Sequence, residues 1–178
     1  VLVRWTTAGW QPVSMQGAPV GFQPIWPIAL QSPGQSQLYL YGVVGLHKHL
    51  LRWDTGIWVP SGICYGQNEC PPYEVVGINL ILADLGGGAN IYATGYRPFQ
   101  SDMYEVVRWN GTSWDSLGTS NRFISALIVF DDGTGAALYA LGDFSMIAGV
   151  SARGLAKWNS VSWTAATPPD TRVYTAKA

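Results

Sequence analysis

The sequence predicts an all-β fold built from repeated four-stranded antiparallel units. The first observation is a motif that occurs four times: an apolar residue, a cation and a tryptophan, followed by a second tryptophan five positions later. The second is a strand-like segment that contains tyrosine, ends in glycine and precedes three of these copies. The third is an apolar run that precedes each of those segments. Eight of the nine tryptophans belong to the motif. The four pairs are Trp5 and Trp10, Trp53 and Trp58, Trp109 and Trp114, and Trp158 and Trp163.

Each tryptophan pair is predicted to belong to a β-hairpin. The spacers between the two indoles are rich in Asn, Asp, Gly, Ser and Thr, which favour tight turns. Two registers are open. If all four spacer residues form the loop, Trp114 lies opposite Trp109; if Asn110-Gly111 is a two-residue turn, Trp114 lies opposite Val107. Side chains alternate along a strand, so both registers place the two indoles on one face. The basic residue then falls on the other face; these residues are Arg4, Arg52, Arg108 and Lys157.

The elements upstream complete a four-stranded repeat. The tyrosine segments span residues 38–42, 91–95 and 138–142, and the apolar runs before them span 25–30, 78–85 and 124–130. The first tryptophans of the four motifs are 48, 56 and 49 residues apart. Four short strands in roughly 40–50 residues are typical of a blade of a β-propeller.

Taken in order, the chain contains three complete blades and parts of a fourth within one predicted domain, residues 1–178. The blades cover about 25–61, 77–118 and 123–166, and Pro27 predicts that the first strand of the first blade is irregular. Residues 1–14 supply two strands and 172–178 one more. These termini could complete a split blade and close a four-bladed ring. Alternatively, their open edges could pair with another chain, or the sequence could be a piece of a longer array.

The third blade resembles the kelch-like, galactose-oxidase-type propeller repeats of secreted and cell-surface proteins. The resemblance lies in Leu138-Tyr-Ala-Leu-Gly-Asp-Phe, Ile147-Ala-Gly-Val, Leu155-Ala-Lys-Trp and Ser162-Trp, and it is sharpest in 107–118 and 138–163. The first two blades depart from it, since they lack the Gly-x-Phe pattern after the tyrosine segment. The resemblance implies a scaffold with an interaction role, and it supplies no catalytic set.

The composition argues against nucleic-acid binding. Charged residues make up 12% of the chain and its net charge is −1, so it lacks the excess of basic residues that attracts nucleic acid. The sequence contains no run of 18 or more apolar residues, so no membrane-spanning helix is predicted. Cys64 and Cys70 are the only cysteines and flank a short loop before Pro71 and Pro72. They predict a disulfide and an oxidising, extracellular or cell-surface location, with two unpaired thiols as the alternative.

Candidate chemical groups each have a structural alternative. The tryptophans could stack on sugars, but their recurrence favours packing. His47 and His49 share a strand face without a third histidine, so a metal site is not predicted. Asp131 and Asp132 precede Gly133-Thr134-Gly135 and could bind Ca²⁺, although a solvated turn is favoured. Asn110-Gly111-Thr112 is both a glycosylation sequon and a hairpin turn signal.

The sequence therefore predicts a non-enzymatic extracellular propeller that acts as a structural or recognition scaffold, with no cofactor and no catalytic residue. A carbohydrate-binding propeller is the alternative, and a hydrolase or oxidase ranks below both. Expected partners are a protein or another copy, joined at the terminal strand edges, and a glycan is possible. Binding would use the loops between the second and third strands of each blade. The candidate residues there are Tyr96, Arg97, Phe99, Asp143 and Phe144.

Overall fold

A computed structural model describes residues 3–32, 35–45, 47–61, 79–97, 103–110 and 114–166. The described residues form β-strands, turns and bends without a helix, and every strand pairing is antiparallel, so the prediction of an all-β antiparallel fold is confirmed. The chain divides into two compact units, Val1–Pro71 and Pro72–Ala178. Cys64, Cys70, Phe99 and the tail strand at 172–178 lie outside the described residues, and the single four-bladed array stays a prediction.

The first unit contains a hairpin and a four-stranded sheet. The hairpin consists of β1 (Val3–Thr6) and β2 (Gly9–Pro12). The sheet consists of β3 (Gln23–Ser32), β4 (Gln35–Val44), β5 (His47–Asp54) and β6 (Ile57–Pro60), paired in chain order. The strand that contains Pro27 lies at the sheet edge, where a missing N–H is tolerated, and its register shifts between Pro24 and Trp26.

The second unit contains two sheets, each built around four antiparallel strands of one repeat. The first comprises β7 (Leu80–Asp84), β8 (Ala89–Arg97), β9 (Met103–Trp109) and β10 (Trp114–Ser120). The second comprises β11 (Ile124–Asp131), β12 (Ala136–Gly142), β15 (Leu155–Trp158) and β16 (Trp163–Ala165). The loop between β12 and β15 forms a small hairpin of β13 (Met146–Ile147) and β14 (Val150–Ser151). This hairpin joins the preceding sheet, because Ile147 pairs with Ser120 of β10.

All four tryptophan hairpins have the same register, with the two tryptophans of each pair directly opposite each other. In the first two hairpins the turn itself is short, since Thr6 pairs with Gly9 and Asp54 pairs with Ile57. The centroids of the paired rings lie 5.0 Å apart for Trp53 and Trp58, 5.4 Å for Trp109 and Trp114, and 5.5 Å for Trp158 and Trp163. Direct opposition and alternation along the strands give each four-stranded sheet a tryptophan face and, on its other side, a tyrosine face.

In the second unit the two sheets pack face to face. The tryptophan face of the sheet β11-β12-β15-β16 contributes Leu127, Leu138, Ala140, Ala156 and Trp163 to one buried cluster. The tyrosine face of the sheet β7-β8-β9-β10 contributes Ala83, Tyr92 and Val106 to the same cluster. Successive repeats of this unit therefore stack with unlike faces in contact.

Two equivalent glycines show how closely the repeat packs on its own backbone. A β-carbon on Gly42 would lie 2.4 Å from the carbonyl oxygen of Gln23, and one on Gly142 would lie 2.2 Å from that of Phe123. Each glycine ends the tyrosine segment of its repeat and faces a register shift in the first strand. The glycine that the sequence pattern repeats is thus required by a close backbone approach.

Candidate functional site

The chemistry-bearing residues of the repeat meet on the tyrosine face of each sheet. The tyrosine of the second strand lies directly opposite the cation of the third strand in all three four-stranded sheets. The pairs are Tyr39 and Arg52, Tyr92 and Arg108, and Tyr139 and Lys157. The sequence placed the cations on the face opposite the indoles but did not match them with these tyrosines. The match depends on the pairing of the second and third strands, which the spacing of the residues does not show.

An aspartate completes the cluster in each sheet, although it comes from a different strand or loop each time. Arg52 pairs with Asp54 at 3.3 Å, and Arg108 pairs with Asp115 at 2.9 Å. Lys157 pairs with Asp132, 2.7 Å away, and its ammonium is also 2.6 Å from the hydroxyl oxygen of Thr134. The charge of each cation is thus met within its own sheet.

The cluster in the last sheet is the most closely connected of the three. The Tyr139 hydroxyl donates a hydrogen bond to the Asp132 carboxylate at 2.8 Å, and the Lys157 ammonium lies 5.7 Å from the Tyr139 ring centroid. Hydrogen bonds from Lys157, Thr134 and Tyr139 lower the pKa of Asp132 below its ordinary range. The hydrogen bond that Lys157 donates to Asp132 raises the pKa of Lys157. Burial, followed by the bond to Asp132, raises the pKa of Tyr139.

These pKa directions determine what the cluster can do chemically. At neutral pH Asp132 is a carboxylate, Lys157 an ammonium and Tyr139 a neutral phenol. A catalytic lysine nucleophile or tyrosine base needs a lowered pKa, and here both are raised. Burial likewise raises the pKa of Tyr92 at the equivalent place in the preceding sheet. The arrangement is an ion pair between Lys157 and Asp132 that is supported by a hydrogen bond from Tyr139.

In both sheets of the second unit the first strand ends in an aspartate whose carboxylate caps the backbone of the following loop. The Asp131 carboxylate accepts hydrogen bonds from the N–H groups of Gly133 and Gly135 at 2.8 and 3.0 Å. Asp84 accepts equivalent bonds from Gly86 and Gly88 at the same two distances. With Asp131 bound to the backbone and Asp132 to Lys157, the turn interpretation accounts for both carboxylates. Among the described residues, no group of three or more His, Cys, Asp or Glu side chains converges as metal ligands would.

The described residues that the sequence predicted for a binding rim lie in different places. Tyr96 and Arg97 lie at the end of β8, where their backbones pair with Tyr104 and Met103. Asp143 is exposed and forms an ion pair with Arg122 at 3.4 Å.

Phe144 requires a correction: its side chain is 1% exposed and packs in the core with Ile124 and Ile147. The loop that contains it folds back as β13-β14 onto β10, so the ring points inward and offers no stacking surface to a ligand. The aromatic residue that the sequence placed on a binding rim therefore serves packing.

The eight repeat tryptophans occupy a range of environments. Trp58, Trp109 and Trp163 are buried at 0%, 5% and 4% exposure, whereas Trp10 is 66% exposed. The Trp163 indole donates a hydrogen bond to the Leu117 carbonyl at 2.8 Å, and the Trp58 indole donates one to the Ser14 carbonyl at 3.0 Å. In both cases the acceptor lies a few residues after the second tryptophan of the preceding repeat. These indole bonds therefore join consecutive repeats.

A concavity lies on the tyrosine face of the sheet β11-β12-β15-β16. Its volume is about 430 Å³, and most of its lining is apolar, with the Asp132–Lys157 pair at one side. Its lining includes Ile128, Phe130, Tyr139, Leu155 and Ala166. Phe130 is 57% exposed, and its ring packs edge-on against Tyr139 at 6.1 Å.

Comparisons of the chain with protein-family models, with curated proteins and with solved structures find no match. The kelch-like resemblance of the third repeat thus stays a prediction. Over the part of the chain that the structure describes, no helix has the length and apolar character needed to cross a membrane.

Proposed function

We propose that this chain is a non-enzymatic, extracellular β-propeller scaffold that acts through assembly or protein recognition. The observation that carries the proposal is the repeated tyrosine–cation–aspartate cluster. In each sheet the cation pairs with an aspartate, and in the last sheet the tyrosine also donates a hydrogen bond to that aspartate. The pKa values of Lys157 and Tyr139 in that sheet are raised, which is away from the direction that a lysine nucleophile or a tyrosine base needs. The repeat thus places its reactive side chains in structural roles, as expected of a scaffold.

The packing of the repeats supports the propeller arrangement. A propeller stacks successive four-stranded sheets face to face around an axis. The face-to-face core of the second unit and the indole bonds from Trp58 and Trp163 to the preceding repeat have this character. We propose that the remaining repeat contacts follow the same rule. A high-resolution experimental structure in which the sheets do not share an axis would contradict the propeller.

One observation favours the carbohydrate-binding alternative: the Trp10 indole is 66% exposed, and an exposed indole can stack on a sugar ring. A glycan array of the wild-type chain and of the Trp10→Ala and Tyr96→Ala variants separates the two functions. The scaffold proposal expects no glycan to bind above background. Binding that either substitution abolishes would overturn the proposal in favour of a lectin.

The enzyme alternative is tested by metal analysis together with hydrolase and oxidase assays on the purified chain. A stoichiometric copper or zinc ion accompanied by turnover would refute the scaffold proposal. The expected result is a stably folded protein that turns over none of the substrates.

A further inference from the structure

We propose that residues 143–154 form a clasp between the two sheets of the second unit, and that this clasp opens and closes as one segment while both sheets stay folded. Asn121 is the residue that holds the clasp closed. The clasp contains β13 and β14 and connects β12 with β15. The inference goes beyond the proposed function, because it concerns a movement of the chain and not the class of molecule that the chain binds.

The clasp crosses from its own repeat to the repeat before it. Its Ile147 pairs with Ser120 of β10, and the N–H of Ala148 donates a hydrogen bond to the Thr119 carbonyl at 2.7 Å. The strands that the clasp connects, β12 and β15, belong to the other sheet. In the first repeat only two residues separate the corresponding strands β4 and β5, so the clasp has no counterpart there. The clasp therefore joins the backbones of two consecutive repeats.

The side chain of Asn121, which directly follows β10, is the latch of the clasp. Its amide oxygen accepts hydrogen bonds from the backbone N–H groups of Ser145 and Met146, each at 3.1 Å. Its amide nitrogen donates to the Ser145 hydroxyl oxygen at 2.8 Å, and its backbone N–H donates to the Met146 carbonyl at 3.2 Å. Because backbone N–H groups can only donate, this network fixes which end of the amide faces the clasp. A single residue thus binds two neighbouring residues of the clasp.

Backbone strain inside the clasp favours its opening. Ala148 and Arg153 have φ angles of 48° and 45°, in the left-handed region that residues with a β-carbon avoid. Each precedes a glycine whose φ is also positive. Of the four non-glycine residues with a positive φ in the part of the chain that the structure describes, two lie in this short segment. Opening the clasp relieves this strain, which the hydrogen bonds of Asn121 oppose.

The clasp has only three buried apolar side chains to anchor it. Phe144, Ile147 and Ala152 are 1%, 0% and 1% exposed and belong to the core between the two sheets. Most of its other residues are exposed. A segment with few buried contacts opens at a lower free energy than the strands around it. Opening carries Phe144 out of the core, so a partner that contacts Phe144 can bind only the open form.

The test measures hydrogen exchange at single amides of the full chain by nuclear magnetic resonance, in rising concentrations of urea below the unfolding transition. The N–H groups of Ala148 and Ala152 report on the clasp, since they bind the carbonyls of Thr119 and Ser145. Both should exchange with one free energy of opening that lies below that of the β11 and β12 amides. This free energy should depend only weakly on urea, because opening exposes little surface. Clasp amides that share the free energy and the urea slope of the strand amides would overturn the inference.

Substitution of Asn121 tests the latch. Asn121→Ala removes the hydrogen bonds of its side chain to the clasp, so the clasp amides should exchange about 10-fold faster or more and still before the strand amides. Arg122→Ala is the matched control, because the neighbouring Arg122 also reaches the clasp, through an exposed ion pair with Asp143 at 3.4 Å. An exposed pair contributes little, so exchange in this variant should rise about 3-fold or less.

The conservative variant Asn121→Asp keeps an oxygen that can accept both N–H groups, and its clasp amides should exchange more slowly than those of Asn121→Ala. An effect of Asn121→Ala no larger than that of Arg122→Ala would refute the role of Asn121. The urea series needs only the wild-type chain, so it decides whether the clasp opens separately, however the variants fold.

Discussion

Replacing Trp163 by phenylalanine tests whether the indole N–H joins consecutive repeats. The indole is 4% exposed and donates its hydrogen bond to the Leu117 carbonyl at 2.8 Å. Phenylalanine keeps an aromatic ring but removes the donor, and a buried carbonyl that loses its partner costs about 1–3 kcal/mol. The smaller ring leaves a cavity that adds about 1 kcal/mol. We therefore expect Trp163→Phe to lower the free energy of unfolding by about 2–4 kcal/mol.

Trp158→Phe is the matched control for this substitution. Trp158 faces Trp163 at 5.5 Å, is only half-buried, and donates no indole hydrogen bond to any residue that the structure describes. Its replacement should cost less than about 1 kcal/mol, since only part of the lost ring surface is removed from water. Chemical denaturation followed by far-ultraviolet circular dichroism gives both values without relying on tryptophan fluorescence. Equal costs for the two variants would refute the role of the indole bond.

Three further substitutions test other features of the repeat. Gly142→Ala should lower the free energy of unfolding by about 2 kcal/mol or more, because its β-carbon would overlap a backbone carbonyl. Gly87→Ala is the control, since its β-carbon meets no atom within 4 Å, and it should change the melting temperature little. Equal effects of the two substitutions would contradict the close approach at Gly142. The buried Thr94 hydroxyl has no hydrogen-bond partner among the described residues. Thr94→Val should therefore stabilise the chain by about 1 kcal/mol in thermal denaturation. A loss of stability would show that the hydroxyl has a partner. Asp132 has a folded pKa below its ordinary value of 3.8, so its contribution is present at neutral pH and declines as the pH falls below that value. Asp132→Asn should therefore flatten the pH dependence of stability between about pH 4 and pH 2, and an unchanged slope would refute the coupling.

Much of the fold could be predicted from the sequence because a strand pattern is a local property. The tryptophan spacing and the turn residues between the indoles identify each hairpin, and the preceding tyrosine segment and apolar run complete each sheet. Alternation along a strand also fixes that the cations lie opposite the indoles, and the observed pairs place Arg108 and Lys157 there. Apart from the β13-β14 hairpin, which crosses to β10, neighbouring strands in each sheet are also neighbours within one repeat, and local patterns identify such pairs.

The candidate site was less accessible to the same reasoning. The tyrosine–cation pairs bridge different numbers of residues in the three sheets, since the loops between the second and third strands differ in length. The aspartates come from different elements: Asp54 from β5, Asp115 from β10 and Asp132 from a loop. A spacing pattern cannot express a cluster whose members are brought together by strand pairing.

The sequence by itself determined that the chain is all-β, how its strands follow one another and which residues share a face, because these depend on neighbours along one strand or across one turn. Only the tertiary structure decided that the loop after β12 folds onto β10 and takes Phe144 into the core, and that Trp10 stays exposed while Trp58 and Trp163 are buried. The physical reason is that the burial of a side chain depends on which distant segment packs against it, and the local pattern of residues does not show where that segment lies.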